Sequence, residues 1–178
     1  QTEPYALWVN RDGALDWVLS GDGSTISSGA RVFNDAAISL SNDTNTALTF
    51  NTERFDLNTN HSVTNSGSAT VCGSSNDTTC LTATTAGKYV IQGNLTFAAN
   101  ATGRRSASIR LNGSTTIATI DKNTANGTQT EEMNVATIYD LAATDYVEFM
   151  AYQNSTGSLN VNSNGNSSPE FAMLYVTQ

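Results

Sequence analysis

The stretch Lys88-Tyr-Val-Ile-Gln-Gly-Asn-Leu-Thr-Phe97 constrains this chain most. Tyr89, Ile91, Gly93, Leu95 and Phe97 share one parity, and Val90, Gln92, Asn94 and Thr96 share the other. Successive side chains of a strand point to opposite faces, so this alternation predicts a half-buried antiparallel strand. On a helix the same residues would be scattered around the axis.

The pattern recurs with turns every 8–12 residues. Ala107, Ile109 and Leu111 alternate with Ser108 and Arg110, and Asn112-Gly113 supplies the turn into a returning strand over 115–120. Residues 133–139 and 146–152 form a further pair joined by 140–145. In the second of these, Val147, Phe149 and Ala151 oppose Tyr146, Glu148, Met150 and Tyr152. Both parities there carry apolar or aromatic groups, which implies burial on two sides: one in a sandwich, one against another chain. Residues 171–176 have no polar member. With no helical period longer than two turns, the fold class is all-β, an antiparallel sandwich.

Composition narrows the function. Charged residues are 13% of the 178, about half the usual share; neutral polar residues, chiefly Asn, Ser, Thr and Gly, take their place. No apolar run approaches the roughly 18 residues of a membrane helix. The net charge of -8 and the lack of any basic run beyond Arg104-Arg105 argue against nucleic acid, which demands a cationic stripe. They argue equally against an anionic membrane. About nine Asn-x-Ser/Thr sequons occur, including those at Asn60, Asn94, Asn112 and Asn154, and follow from the Asn/Ser/Thr content.

Two compositions meet near residue 29. Residues 1–29 are read as an N-terminal anchor segment and linker, and 30–178 as the main domain. The former carries both tryptophans, Trp8 and Trp17, on two short apolar stretches separated by Asn10-Arg-Asp-Gly13, a hairpin signal. A Ser/Gly-rich connector follows. An isolated two-stranded hairpin is marginal in water, so it must pack on its own domain, a neighbouring subunit or a host particle. The chain starts Gln1-Thr2-Glu3-Pro4, without a basic start and apolar core of a signal peptide. The expectation is a processed end or export on a particle.

Cys72 and Cys80 bracket a soft polar loop, Cys72-Gly-Ser-Ser-Asn-Asp-Thr-Thr-Cys80. They either stay as idle thiols or close the loop covalently. A disulfide is the reading adopted, and it places the chain outside a reducing cytosol. With His61 the only histidine, zinc is unsupported.

Catalytic patterns are thin. Glu131 and Glu132 are adjacent and would point to opposite faces of a strand; His61 lies in a loop without a nucleophile elbow. No catalytic residue and no cofactor is expected. Calcium could be built only from Asp121, Asn123 and Asn126, whose spacing is not that of an EF-hand loop. Arg104 and Arg105 are expected at an exposed loop tip, as solvated groups or as ion-pair donors to another chain.

Several segments also carry a family resemblance. Ala86-Gly-Lys-Tyr-Val-Ile91 resembles the Gly-x-Tyr-x-aromatic strand of the complement C-one-q globular head, whose jelly roll is shared with the tumour necrosis factor superfamily. Ala30-Arg-Val-Phe-Asn34 and Thr49-Phe-Asn-Thr-Glu-Arg-Phe-Asp56 sit where that family has its first strands. Ser108-Ile-Arg-Leu-Asn-Gly113 is similar to its Asn-Gly hairpin, Asp140-Leu-Ala-Ala-Thr-Asp-Tyr-Val-Glu148 to its Leu-x-x-Gly-Asp-x-Val segment, and Pro169-Glu-Phe-Ala-Met-Leu-Tyr175 to its closing strand. Thr144 replaces the family's Gly, and Ile91 replaces an aromatic. The match spans about 30–178 and lacks a collagen-like stalk, as in bacterial surface and phage virion forms.

The resemblance implies a TNF-like jelly roll and a homotrimer, with Tyr89, Phe149, Tyr152, Phe171 and Tyr175 as trimer core or axis candidates. The expected function is a virion structural protein: capsid decoration, head fibre or tail-tip module. Residues 1–29, through Trp8 and Trp17, would engage a major capsid or other virion protein, and the exposed loops would touch cell-surface glycan. A bacterial adhesin is the alternative and a polysaccharide-cleaving enzyme the remote one. The expected location is the virion surface or extracellular space.

Overall fold

The computed structural model describes residues 5–9, 15–19, 28–65, 72, 77–124 and 127–177; of 5–9, 15–19 and 177 it describes the backbone. The strands are β1 (Tyr5–Val9), β2 (Leu15–Leu19), β3 (Gly29–Phe33), β4 (Ile38–Leu40), β5 (Thr46–Ala47), β6 (Thr52–Asp56), β7 (Cys80–Thr82) and β8 (Gly87–Phe97), then β9 (Arg104–Leu111), β10 (Thr115–Asn123), β11 (Glu131–Leu141), β12 (Tyr146–Gln153), β13 (Leu159–Val161) and β14 (Glu170–Thr177). The only helical piece among the described residues is a 3-10 turn at Asp77–Thr79.

Two antiparallel sheets face each other. The first runs β4-β13-β8-β14-β3-β6, with β11 paired along the free side of β8; the second runs β10-β9-β12-β5, with β7 also on β12. Apart from the β9–β10 hairpin, strands paired in these two sheets are not consecutive in sequence, as in the jelly-roll class of sandwich. β1 and β2 form a separate ribbon with Leu7 opposite Trp17. The turn residues 10–13, the connector 20–27 and the side chains of Trp8 and Trp17 lie outside the described residues.

β8 follows its alternation: Tyr89, Ile91, Gly93, Leu95 and Phe97 are buried, while Lys88, Val90 and Gln92 are exposed. The inner faces meet in one core. Phe171 of β14 stacks on Phe149 of β12 at 5.5 Å and on Phe50 at 5.9 Å between ring centroids. Gly93 makes room for this stack, because a Cβ there would lie 2.6 Å from the Phe149 ring. Such aromatic pairs add roughly 0.5–1.5 kcal/mol beyond their burial.

One end of the sandwich is closed by polar plugs, and here an expectation is corrected. Arg105, expected at an exposed loop tip, lies in β9 on the inner face and is fully buried. Its register partners are Gln153 and Lys122, and its guanidinium packs 5.8 Å from the Phe97 ring centroid. It donates to the carbonyls of Thr102 and Arg104 at 3.0 Å and of Asn100 at 3.4 Å. The loop leaves backbone acceptors facing inward, and a guanidinium carries enough donors in a fixed fork to serve several at once. Burial lowers the pKa of Arg105, opposed by the charge of Glu131. Gln153 does the same work on the other side, donating to Leu40 and Gly157 carbonyls and accepting from the Ser155 backbone N–H and hydroxyl.

Candidate functional site

Cys72 and Cys80 are joined in a disulfide, and both are fully buried. Cys80 lies opposite Glu148, which lies opposite Arg110, so all three share the outer face of the second sheet. The Glu148 carboxylate takes the Arg110 Nε at 2.8 Å. On this face of β12 Glu148 and Met150 are both buried. The two-sided burial expected of β12 is therefore present, but within the chain itself; no second copy is needed to cover it.

Of the five axis candidates, Tyr89, Phe149 and Phe171 are fully buried in the single-chain core, which removes them from any axis. Tyr175 is half-buried and packs edge-on against Tyr89 at 5.4 Å. The apolar surface left uncovered is elsewhere. On the outer face of the first sheet, Ile138 of β11, Val90 of β8 and Leu174 of β14 stand side by side in register. Ile138 is 69% exposed and Val90 39%, with Val176 at 48% close by on β14. Leu174 is half-buried. Ala136 and Ala172 flank Gln92 in the adjacent row of the same face.

Toward its other end this face turns polar. Glu170 is buried between two arginines, taking Arg31 Nε at 2.6 Å and Arg54 Nε at 2.7 Å, while Arg54 lies 4.2 Å over the Phe33 ring. A hollow of about 570 Å³ follows, lined by Asn94, Thr96, Lys122, Glu132, Asn134 and Asn166 among others. Much of its polar capacity is spent internally: Asn134 donates to Asn94, and Lys122 to the Glu132 carbonyl at 2.6 Å.

The outward face of the second sheet gathers residues that the sequence singled out for different reasons. Tyr152 of β12, Ser106 of β9 and Asp121 of β10 form one register row, with Arg104 opposite Asn123 next to it. Arg104 reaches across the row, its Cζ 5.1 Å from the Tyr152 ring centroid and its Nη1 3.7 Å from Asp121 Oδ1. The Tyr152 hydroxyl donates to Asp43 Oδ1. That hydrogen bond, followed by burial and the Asp43 charge, raises the Tyr152 pKa. Asp43 is held at φ 56° by its backbone N–H on the Gln153 carbonyl at 2.8 Å, and Thr156, at φ 73°, donates its N–H to the neighbouring Asn42 side chain at 2.7 Å.

The carboxylate of Asp121 is thus committed to an arginine, which disfavours a cation there. No group of three His, Cys, Asp or Glu side chains that could hold a metal ion exists among the described residues; Asn126 lies outside them. His61 is buried with Nδ1 3.0 Å from Glu53 Oε1. A Ser-His-carboxylate relay needs a hydroxyl on the other nitrogen, and Nε2 has no hydrogen-bond partner.

Arg104 and Tyr152 were legible as candidates; Ser106 was not, because register across strands brings it in, nor was Asp43, which a loop hydrogen-bonded to Gln153 places there. The exposed row of Ile138, Val90 and Leu174 was also missed. The available signal was the apolar group on the minor parity of each strand.

No family model matches the chain, and no curated protein matches it in sequence. Solved structures do. The globular domain of zebrafish complement 1qA is 10% identical with a TM-score of 0.56, the match covering 85% of this chain and 98% of that one. Murine APRIL, at pH 8.5, is 8% identical with a TM-score of 0.58, covering 84% and 98%; its structure at pH 5.0 is 9% identical with the same score. The fold is the jelly roll of the complement C-one-q head and the tumour necrosis factor family.

Proposed function

We propose that the chain is a homotrimeric jelly-roll module on the surface of an extracellular particle, most directly a virion, where it braces the particle and contacts host-surface glycan. The supporting observation is the in-register row Ile138, Val90 and Leu174 on the outer face of the first sheet, with Val176 at its edge. The sheet is already covered on its inner side. Apolar groups standing together on the second side favour a dry partner, at about 25 cal/mol for each Å² removed from water. A closed ring of identical copies provides that partner without an open edge. The jelly-roll fold, shared with the complement head, agrees with this arrangement.

Trp8 and Trp17 serve as anchors in this reading. Among the described residues the β1–β2 ribbon pairs only with itself in the sheet topology, and two strands alone are marginal. Their seat is a capsid or other virion protein.

Placing charges in the apolar row tests the trimer. Val90→Asp with Ile138→Asp sits on a solvent-facing parity, so the chain should fold with an unchanged far-UV spectrum and elute as a monomer in light scattering. If the double variant keeps the wild-type mass, this row is not the contact. Deleting residues 1–29 tests the anchor: trimers should persist while particle attachment is lost. Attachment by the truncated chain would refute the anchor.

A further inference from the structure

We infer that Asn164 is a site of self-modification, where the backbone nitrogen of Gly165 attacks the Asn164 side-chain amide and converts it to aspartate and isoaspartate. The site owes nothing to the trimer contact or to glycan binding.

The chemistry needs only water. Gly165 N gives up its proton and attacks Asn164 Cγ. A new N–C bond closes a five-membered imide, the bond from Cγ to the amide nitrogen breaks, and that nitrogen leaves as ammonia. Water then opens the imide at either carbonyl, which yields aspartate or an isoaspartyl link with one more methylene in the main chain. The reaction is fast only where the next residue lacks a side chain, the amide can turn, and the backbone nitrogen is acidified.

Two Asn-Gly pairs lie wholly among the described residues, Asn112-Gly113 and Asn164-Gly165, and all four residues are exposed. Exposure therefore does not separate them; hydrogen bonding does. Asn112 is held at three atoms. Its N–H donates to the Tyr146 carbonyl at 2.9 Å, its Nδ2 donates to Asp145 Oδ1 at 2.8 Å, and its Oδ1 accepts from the Tyr146 N–H at 2.9 Å. Turning that amide onto Gly113 breaks two of these bonds. Asn164 sits in the connection between β13 and β14, and its side chain has no hydrogen-bond partner among the described residues. The Gly165 N–H is unpaired in the same sense, and the space where its Cβ would stand is open.

The turn also activates the nitrogen. The Asn164 carbonyl, conjugated with Gly165 N, accepts from the Ser167 N–H at 3.2 Å and from its hydroxyl at 3.0 Å. When Gly165 N loses its proton, negative charge moves onto that oxygen, where both donors already point. The Asn112 carbonyl accepts no such bond among the described residues.

The product changes its surroundings. Arg54 Nη2 donates to the Gly165 carbonyl at 2.9 Å and Arg31 Nη2 to the Asn166 carbonyl at 3.3 Å. A new carboxylate at position 164 therefore appears beside the two guanidiniums that clamp Glu170, and next to Asn166 and Ser167 at the hollow they line. It adds one negative charge to a chain of net charge -8.

Peptide mapping of the full chain, held folded at mildly alkaline pH, tests this. Cleavage at Glu148 and Glu170 isolates residues 149–170, in which Asn164 forms the only Asn-Gly pair; cleavage after Arg110 and Lys122 isolates Asn112. Conversion at Asn164 should be at least about tenfold faster than at Asn112, equivalent to about 1.4 kcal/mol of barrier. Both aspartate and isoaspartate should form, and in urea the two sites should react at similar rates. Gly165 has a φ of 56°, and Gly165→Ala should slow conversion at Asn164 at least about tenfold. Ser167→Ala, which removes one hydrogen bond, should slow it about threefold, with an unchanged far-UV spectrum and an unchanged rate at Asn112. Equal or faster conversion at Asn112 in the folded chain, or aspartate without isoaspartate at Asn164, would overturn the assignment. A Ser167→Ala rate equal to wild type would overturn the role given to Ser167.

Discussion

Thr144 has a φ of 77°, a left-handed conformation that a β-branched residue rarely adopts, where the resembled family has glycine. Its N–H donates to the Ala83 carbonyl at 2.7 Å, so the turn from β11 into β12 is held against that strain. Replacing Thr144 with Gly should raise stability by about 1 kcal/mol, read as a higher urea midpoint with unchanged slope. Two phenols make a second residue-scale expectation. Tyr152 is raised in pKa first by its bond to Asp43, and Tyr146 first by burial. A raised folded value means the stabilisation is complete below the unfolded phenol value near 10 and is lost as pH climbs through the folded values. Ultraviolet titration should show Tyr152 and Tyr146 ionising late, and Tyr152→Phe should remove the contribution of the first. Thr144 was legible because a missing glycine stands out in a motif. Arg105 was not: an arginine beside an Arg-containing loop reads as solvent-facing, and only the loop's inward carbonyls explain its burial.

At the scale of strands, β8 was readable because one parity is uniformly apolar from Tyr89 to Phe97 and its partner β11 follows in register. β12 was only half readable. Its apolar content on both parities does mean two buried faces, but the cover on the second face includes the disulfide at Cys80, more than sixty residues earlier in the chain. Periodicity reports that a face is dry and is silent about what dries it. The disulfide closes a short loop, with a sequence separation of 8. Chain-entropy reasoning gives it about 2–3 kcal/mol. The Cys72→Ser, Cys80→Ser double variant should lower the free energy of unfolding by about that amount while remaining folded. It should also loosen the region around Glu148, seen as faster amide exchange on β7 and the facing part of β12. Unchanged stability would mean the covalent link adds nothing to the packing around it.

For the molecule as a whole, two jelly-roll faces have different fates. The second sheet covers its outward side around Met150 and Glu148 with its own chain, and Arg104 lies over Tyr152 on the same side. The first sheet leaves Ile138, Val90 and Val176 bare. The jelly roll itself could be anticipated from strand spacing and from the motifs between residues 86 and 175. The face that calls for a neighbour could not, because deciding between the two parities of β8, β11 and β14 requires knowing which strands lie beside one another. Sedimentation equilibrium of the full chain at micromolar concentration is the most direct test. The account predicts one species of three times the 18.8 kDa chain mass; a folded, stable species at the mass of a single chain would contradict it.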